Sequence, residues 1–375
     1  MSIKPTKDIL IAGGGIAGLA AWRALEQHGV RSTVIERRMQ AVDGGLAINL
    51  PGNAIAALAR LGLGEGIGRI GHPVRRREYR AEDDRLLAAI DEDAFWGEAM
   101  RPRAVRRADL VALLGEGMPS DRGRFGSTVT AITQDAEAVH VQLATGETLS
   151  GRLLIGADGV HSTARESIMG TSESQSALIA SASWRFMAPN PGIDGWTFWT
   201  GKRGMILLLP VDDSTVYGWV TVSEADTASD DHEHLRRTFA PFPERARKAL
   251  DWVLSHPEHL YHSPLEEVHE SRWHEGRVTL IGDAAHATAP VWAQGAALAM
   301  EDGLALAALV ADVDDPASIG DRFRQQRMQR VAHVKAMTDR LSKAAGLPYA
   351  IRRLTMPFIV PRSYRATYGP LRDSQ

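Results

Sequence analysis

The chain has no cysteine among its 375 residues. That excludes disulfides, cysteine-ligated zinc, iron–sulfur clusters, a thiol nucleophile and a cysteinyl link to a cofactor. It also lacks an excess of charge of one sign: 43 lysines and arginines stand against 46 aspartates and glutamates, a formal charge of −3. With no basic field to hold nucleic acid, charge points to a small-molecule partner. Long apolar runs are missing too, since the longest, LALAALVADV at 304–313, is too short to span a bilayer. The N-terminal MSIKPTKD runs into the first predicted strand without a secretory apolar region, so a soluble, cytoplasmic protein is expected. No fixed-period repeat or low-complexity tract occurs. What the chain does have is apolar content, 44% of its residues, and a length that favours two domains over one.

Three glycine-bearing turns follow apolar strands. The first is DILIA-GGGIAG-LAAWRALEQHG, read as strand, turn and helix, followed by STVIE as a second strand. Gly13, Gly15 and Gly18 fit G-x-G-x-x-G: Gly13 for the tight turn, Gly15 for close approach of a pyrophosphate, Gly18 for helix packing. Glu36, at the end of the second strand, would accept from a ribose hydroxyl. Arg37 and Arg38 follow it and either touch an adenosine or lie as solvated charges.

The second turn is LLIGADGVHSTARE at 153–166. Asp158 at its strand end has three uses open to it: bonding amides of the first glycine loop, lying behind the pyrophosphate, or closing a simple Asp-Gly turn. The third is VTLIGDAAHATAPVWAQGAALAMED, a strand ending on Asp283, a loop with Pro290, and a helix starting near Gly295. Asp283 can take a ribityl hydroxyl, and the helix start aims unpaired N–H groups and partial positive charge outward, which suits the pyrimidine edge of a flavin. Two grips some 270 residues apart favour FAD over NAD.

Elsewhere, Pro51 opens a helix through Leu61, VRRREYR and RLLAAID read as a hairpin, residues 127–155 as an antiparallel insertion, and 180–225 as a Trp-rich sheet. DRFRQQRMQRVAHVKAMTDRLSKAA reads as a long amphipathic helix. The last thirty or so residues, with Pro348, Pro357 and Pro361, have no clear assignment. The expected division is a discontinuous FAD-binding domain (1–72, 101–177, 264–325), a substrate domain (73–100, 178–263) and a C-terminal helical segment (326–375).

GGGIAG with Glu36, GADGVHSTAR and GDAAH…P…QG…ED, in that order, resemble the single-component FAD-dependent aromatic hydroxylases related to p-hydroxybenzoate hydroxylase, over roughly residues 8–330. LAINLPGNAIAALARLGL is similar to that family's segment beside the flavin ring. The resemblance implies an α/β fold: a Rossmann-like FAD-binding domain of the GR2 type with an interleaved α+β substrate domain on an antiparallel sheet. It further implies Arg107 near the FAD phosphates, backbone at Ile16, Ala17 and Val129 along the ADP half, and Gly295, Ala296 and Ala297 at the pyrimidine edge. The implied reaction uses non-covalent FAD, NADPH or NADH as transient reductant, and O2 added at flavin C4a, with oxygen passed from the hydroperoxide to an aromatic or heteroaromatic ring. Arg185, Arg203 and Tyr217, on the predicted substrate sheet, are candidates for orienting the substrate and stabilising its anion. Trp184, Trp196, Trp199 and Trp219 are read as sheet core, and His286 as packing near the cofactor loop.

The chain departs from the family at Ala293, where glycine is usual, and at Ala297, where asparagine often stands. A methyl at 293 is tolerable with a negative φ there but crowds the flavin's approach. Val291 and Trp292 fill positions that include an acid in urate-hydroxylating relatives, which disfavours urate; Trp292 either stacks on substrate or covers the ring. A related epoxidase or dehydrogenase and a flavin-binding protein without turnover are the alternatives, while the absence of WxWxIP disfavours halogenation. A monomer or homodimer is expected.

Overall fold

The computed structural model describes residues 8–39, 46–170, 177–180, 183–222, 232–262, 265–268, 272–289 and 292–372. Pro290 and Val291, discussed above, lie outside them. A six-stranded sheet is ordered His274–Glu275, Val278–Leu280, Leu153–Gly156, Ile9–Ala12, Ser32–Glu36, Gly123–Phe125, and is parallel apart from its first pair. Its central strands, ILIA and LLIG, are buried at every residue, as expected of strands covered on both faces. The helices Ile16–Gln27 and Gly295–Asp312 cross so closely that a Cβ on Gly303 would lie 2.7 Å from the Ala21 nitrogen. Residues 129–151 form the three-stranded antiparallel insertion, Val129–Gln134, Val139–Leu143 and Thr148–Gly151.

A second, seven-stranded sheet is ordered Leu260–His262, Ser183–Pro189, Thr215–Val222, Gly204–Pro210, Trp196–Thr200, Arg76–Ala81, Leu86–Asp91. All its pairs are antiparallel except Trp196–Thr200 with Arg76–Ala81. Alternation splits its residues between two faces. On one, Trp184, Phe186, Trp199 and Val220 pack under the helices His232–Phe239 and Glu244–Leu254. On the other, Trp196 and Leu209 pack with Ala104, flanked by Tyr79, Phe198, Leu207 and Tyr217. That second face is turned toward the small sheet of Ala47–Leu50 and Arg103–Arg106. Trp184 and Trp199 are thus core as read from sequence; Trp196 belongs to the aromatic second face, and half-buried Trp219 donates to Ser183 Oγ at 2.8 Å.

The C-terminal region that resisted assignment is the helix Tyr349–Arg372, which follows the long helix Pro316–Ala345 and contains Pro357, Pro361 and Pro370. Its contacts explain why it holds: Tyr364, Thr367, Tyr368 and Leu371 are buried against the rest of the molecule. No described helix is long and apolar enough to cross a membrane.

Candidate flavin site

At the first turn, Gly13 has φ +107 and a Cβ there would lie 2.3 Å from the Ala157 carbonyl oxygen, so only glycine fits. A Cβ on Gly18 would meet the Gly13 oxygen at 1.8 Å. Gly15 differs: nothing lies within 4 Å of its Cβ position, so the loop opens there onto free space, immediately before the amides of Ile16 and Ala17 at the helix start. Glu36 accepts from the Gly14 amide at 2.7 Å and from the Arg38 amide at 2.9 Å. It thereby braces the loop, and a carboxylate retains acceptor capacity beyond these two bonds. Arg37 is exposed at the strand end; Arg107 is exposed as the first residue of the helix Arg107–Gly115, its amide bonded to Leu46 O at 2.9 Å; half-buried Val129 begins its strand.

The second turn corrects one of the uses open to Asp158. Its carboxylate accepts from Ser162 Oγ at 2.5 Å and the Ala164 amide at 3.0 Å, capping the helix Thr163–Met169, and makes no described bond to the glycine loop. Burial pushes its pKa up, partly offset by these donors. The nearest donors at a strand-to-helix turn are the turn's own amides, and those have captured it. The strand end still supports the first turn, through the Ala157 carbonyl beneath Gly13. Buried Arg165 donates to Val160 O at 2.5 Å and Ala284 O at 3.0 Å, tying the second turn to the third.

In the third turn, Gly282 has φ +56, and its Cβ position is 2.9 Å from Ala17 Cβ, which sets this turn against the start of the first helix. Asp283 is exposed, and its Oδ1 is 3.8 Å from where a Cβ on Gly295 would be. Acid and helix N-terminus therefore border one space. Ala296 is half-buried; the Ala297 side chain is fully buried, so a methyl there fills core. Buried His286 places Nε2 2.7 Å from Asp302 Oδ2, a structural contact.

Ala293 overturns the condition set for it: φ is +54. Both neighbours are fixed by remote partners. The Trp292 indole donates to Met337 O at 3.1 Å, its carbonyl accepts from Tyr368 Oη at 2.7 Å, and the residue is buried, its ring packed against that of Tyr368 in the C-terminal helix. Gln294 and Asn53 exchange amide hydrogen bonds at 3.0 and 3.1 Å. Behind this loop lies a buried ionic network that sequence reading missed. Arg327 joins Asp302 at 2.8 Å and Glu301 at 2.9 Å, Arg330 grips Glu301 at 2.5 and 2.6 Å, and Asn53 donates to Glu301 at 3.0 Å. The available signal was adjacent acids on one helix and arginines three apart on the next.

Of the substrate candidates, Arg185 and Tyr217 share the sheet's second face, opposite Trp219 and Met187 respectively. Burial pushes the Tyr217 hydroxyl up to about 12, with Arg185 pulling the other way, so it is a neutral donor at pH 7. Arg203 is a correction: it is not on a strand but in the exposed turn between Trp196–Thr200 and Gly204–Pro210, because the strand ends at Thr200. Among the described residues no cluster of acids and histidines could hold a metal.

The donor set fits an extended dinucleotide. Gly15 leaves room where a pyrophosphate approaches, a helix start lies at each of two turns, and an exposed acid stands at the distal one. The fold and these three converging turns define a flavoprotein of the dinucleotide-binding α/β kind. The chain belongs to the FAD binding domain family, whose model matches residues 6–340. It is 32% identical over 341 residues to an FAD-dependent urate hydroxylase of Klebsiella pneumoniae, covering 86% of each chain. It is 30% identical over 338 residues to the 2-heptyl-3-hydroxy-4(1H)-quinolone synthase of Pseudomonas aeruginosa, covering 87% of this chain and 86% of that one. Among solved structures, Klebsiella pneumoniae HpxO complexed with FAD and uric acid superposes with a TM-score of 0.81 at 27% identity, covering 98% of this chain and 93% of the other.

Proposed function

We propose that the chain is an FAD-dependent, NAD(P)H-consuming monooxygenase that hydroxylates a small aromatic or heteroaromatic compound. The observation that carries this reading is the exposed Asp283 beside the N-terminus of Gly295–Asp312, in a chain whose second sheet offers an aromatic face. The hydroxylases and monooxygenase among its relatives support it.

Bound FAD would supply the reducing equivalents and the activation of O2. The protein's own work is binding, orientation and electrostatics. Asp283 accepts from a hydroxyl of the cofactor's sugar alcohol chain. The unpaired amides starting Gly295–Asp312 present partial positive charge to the ring edge that becomes negative on reduction. Gly15 lets the phosphates approach backbone N–H groups at Ile16 and Ala17, with Arg107 as an added cation. On the second sheet, Tyr217 donates a hydrogen bond to a ring oxygen of the substrate and Arg185 favours its anionic form, raising electron density in the ring to be attacked. The aromatic side chains around them exclude water. The reductant has no domain of its own in this reading and visits transiently.

Asp283→Ala is expected to raise the FAD dissociation constant by about tenfold, the worth of one good hydrogen bond to a charged group. Tyr217→Phe should leave FAD affinity unchanged and weaken substrate-stimulated NAD(P)H oxidation. Measuring hydrogen peroxide beside O2 uptake separates hydroxylation from idle oxidation. An Asp283→Ala protein that stays yellow with unaltered FAD affinity would sink the site, and reduction without oxygen incorporation would point to a dehydrogenase.

A further inference from the structure

Asn49 lies on the strand Ala47–Leu50, opposite Ala104 of Arg103–Arg106. Both polar atoms of its carboxamide, Nδ2 and Oδ1, are shielded from solvent and have no hydrogen-bond partner among the described residues. Side chains of directly opposed residues in an antiparallel pair share a face, so Ala47, Asn49, Ala104 and Arg106 point one way. That direction is fixed three times over. Ala104 packs on Trp196 and Leu209, Ala47 packs on Met187 and Val211, and Arg106 reaches Asp212, in the turn between Gly204–Pro210 and Thr215–Val222 of the large sheet, at 3.0 Å. Tyr217 packs against both the Ala47 and the Ala104 clusters. Asn49 therefore presents its amide to the aromatic second face of the substrate sheet, beside Tyr217.

A shielded amide with neither donor nor acceptor satisfied costs folding free energy. Groups of this kind persist where a ligand completes them. A carboxamide offers a donor and an acceptor side by side in one plane, and its complement is a planar edge with an adjacent acceptor and donor. Such an edge belongs to a ring lactam, N–H next to C=O, or to its hydroxy-heteroaromatic tautomer. A phenol offers only one of the two.

We propose that Asn49 is a specificity-determining residue that reads the lactam edge of a planar N-heteroaromatic substrate held against the Tyr217 face. The assignment rests on the monooxygenase reading above and narrows it from aromatic rings in general to those carrying adjacent N–H and C=O. Tyr217 and the Trp196 and Phe198 rings contact the body of the ligand, and Asn49 fixes its rotation in the plane.

The test uses FAD-loaded protein and matched probes, 2-pyridone against phenol and 2-quinolone against 2-naphthol, with affinity read from perturbation of the flavin absorbance. Wild type should bind each lactam about tenfold more tightly than its phenolic isostere, as two hydrogen bonds replace one. Asn49→Leu and the smaller Asn49→Ala should abolish that preference, lowering lactam affinity by more than phenol affinity. Because it removes an unsatisfied amide, Asn49→Leu should hold or raise the melting temperature. The proposal is overturned if wild type shows no lactam preference or binds neither lactam. It is equally overturned if the preference survives in both variants, or if they melt lower with the preference intact, which would make Asn49 a structural residue. The broader reading fails separately, when no ring compound of either kind stimulates NAD(P)H oxidation with oxygen incorporation; phenols turned over without dependence on Asn49 would remove this inference alone.

Discussion

At φ +54 the Ala293 methyl crowds its own peptide group, a conformation that costs an L-residue about 1–2 kcal/mol relative to the right-handed form. It persists because Trp292 and Gln294 are each pinned by buried hydrogen bonds that leave the residue between them no other geometry. Ala293→Gly relieves the strain and gives back roughly 0.4–1 kcal/mol through the freer unfolded chain. The net gain is between about 0 and 1.6 kcal/mol, a rise in melting temperature of up to about 2 °C in a chain this long. Ala293→Val should lower it. A fall on Ala293→Gly would show instead that the methyl contributes packing that outweighs its strain. The sign of φ at 293 could not be read from sequence because it is set by Met337, Tyr368 and Asn53, all distant in the chain. Asn49 is hidden for the same reason. Gly13, Gly15 and Gly18 were legible because a missing side chain between a strand and a helix has few uses, whereas Asp158 was not, since a carboxylate at a turn has several donors in reach and the sequence does not rank them.

Among the elements, those whose pattern is local were legible: the first strand, turn and helix, the hairpin of Arg76–Ala81 and Leu86–Asp91, and the antiparallel insertion. The helix Tyr349–Arg372 was not. Its three prolines each remove an N–H and crowd the preceding turn, so local propensity argues against it. Tertiary contacts override that. Tyr364 bonds Glu92, a fully buried acid also paired with Arg77, and accepts from the Trp96 indole at 2.8 Å. Arg77 lies 5.2 Å from the Trp196 ring centre, 5.5 Å from Tyr364 and 5.7 Å from Tyr368, so the pair sits in an aromatic cage that joins the helix to the substrate sheet. Tyr364→Phe strips a donor from Glu92 and orphans the Trp96 N–H, a loss of about 1–3 kcal/mol measurable by urea denaturation. FAD affinity should not change. If the loss is below about 0.5 kcal/mol, ordinary for a surface position, the helix is anchored elsewhere.

Over the whole molecule, the chain's last third returns to hold the loop at Trp292–Gln294 from behind. Arg327 and Arg330 of Pro316–Ala345 meet Glu301 and Asp302 of Gly295–Asp312, Asn53 joins them from the helix Gly52–Arg60, and Asp302 also takes the Gly282 amide at 2.9 Å. Burial opposes the charge on Asp302, but the His286 ring and the Arg327 guanidinium outweigh it and hold its carboxyl down at about 2. An unfolded-chain aspartate takes up its proton near pH ~4. Between those values the unfolded chain binds the extra proton, so the stabilisation from Asp302 is fully present above about pH 4 and is lost as pH falls toward 2. Glu301, whose carboxyl Arg330 and Arg327 hold low against its burial, contributes with the same sign. Asp302→Asn leaves Arg327 without one of its two carboxylates, a loss of about 3 kcal/mol or more at neutral pH. The gap in stability between wild type and variant, followed by thermal melts of FAD-saturated protein from pH 7 to pH 2.5, should be widest above pH 4 and close below it. Other carboxylates titrate in both proteins and cancel in the difference. A gap that stays constant across the series would mean that Asp302 holds the loop by shape and hydrogen bonding alone, with its charge contributing nothing to the coupling between that loop and the C-terminal helices.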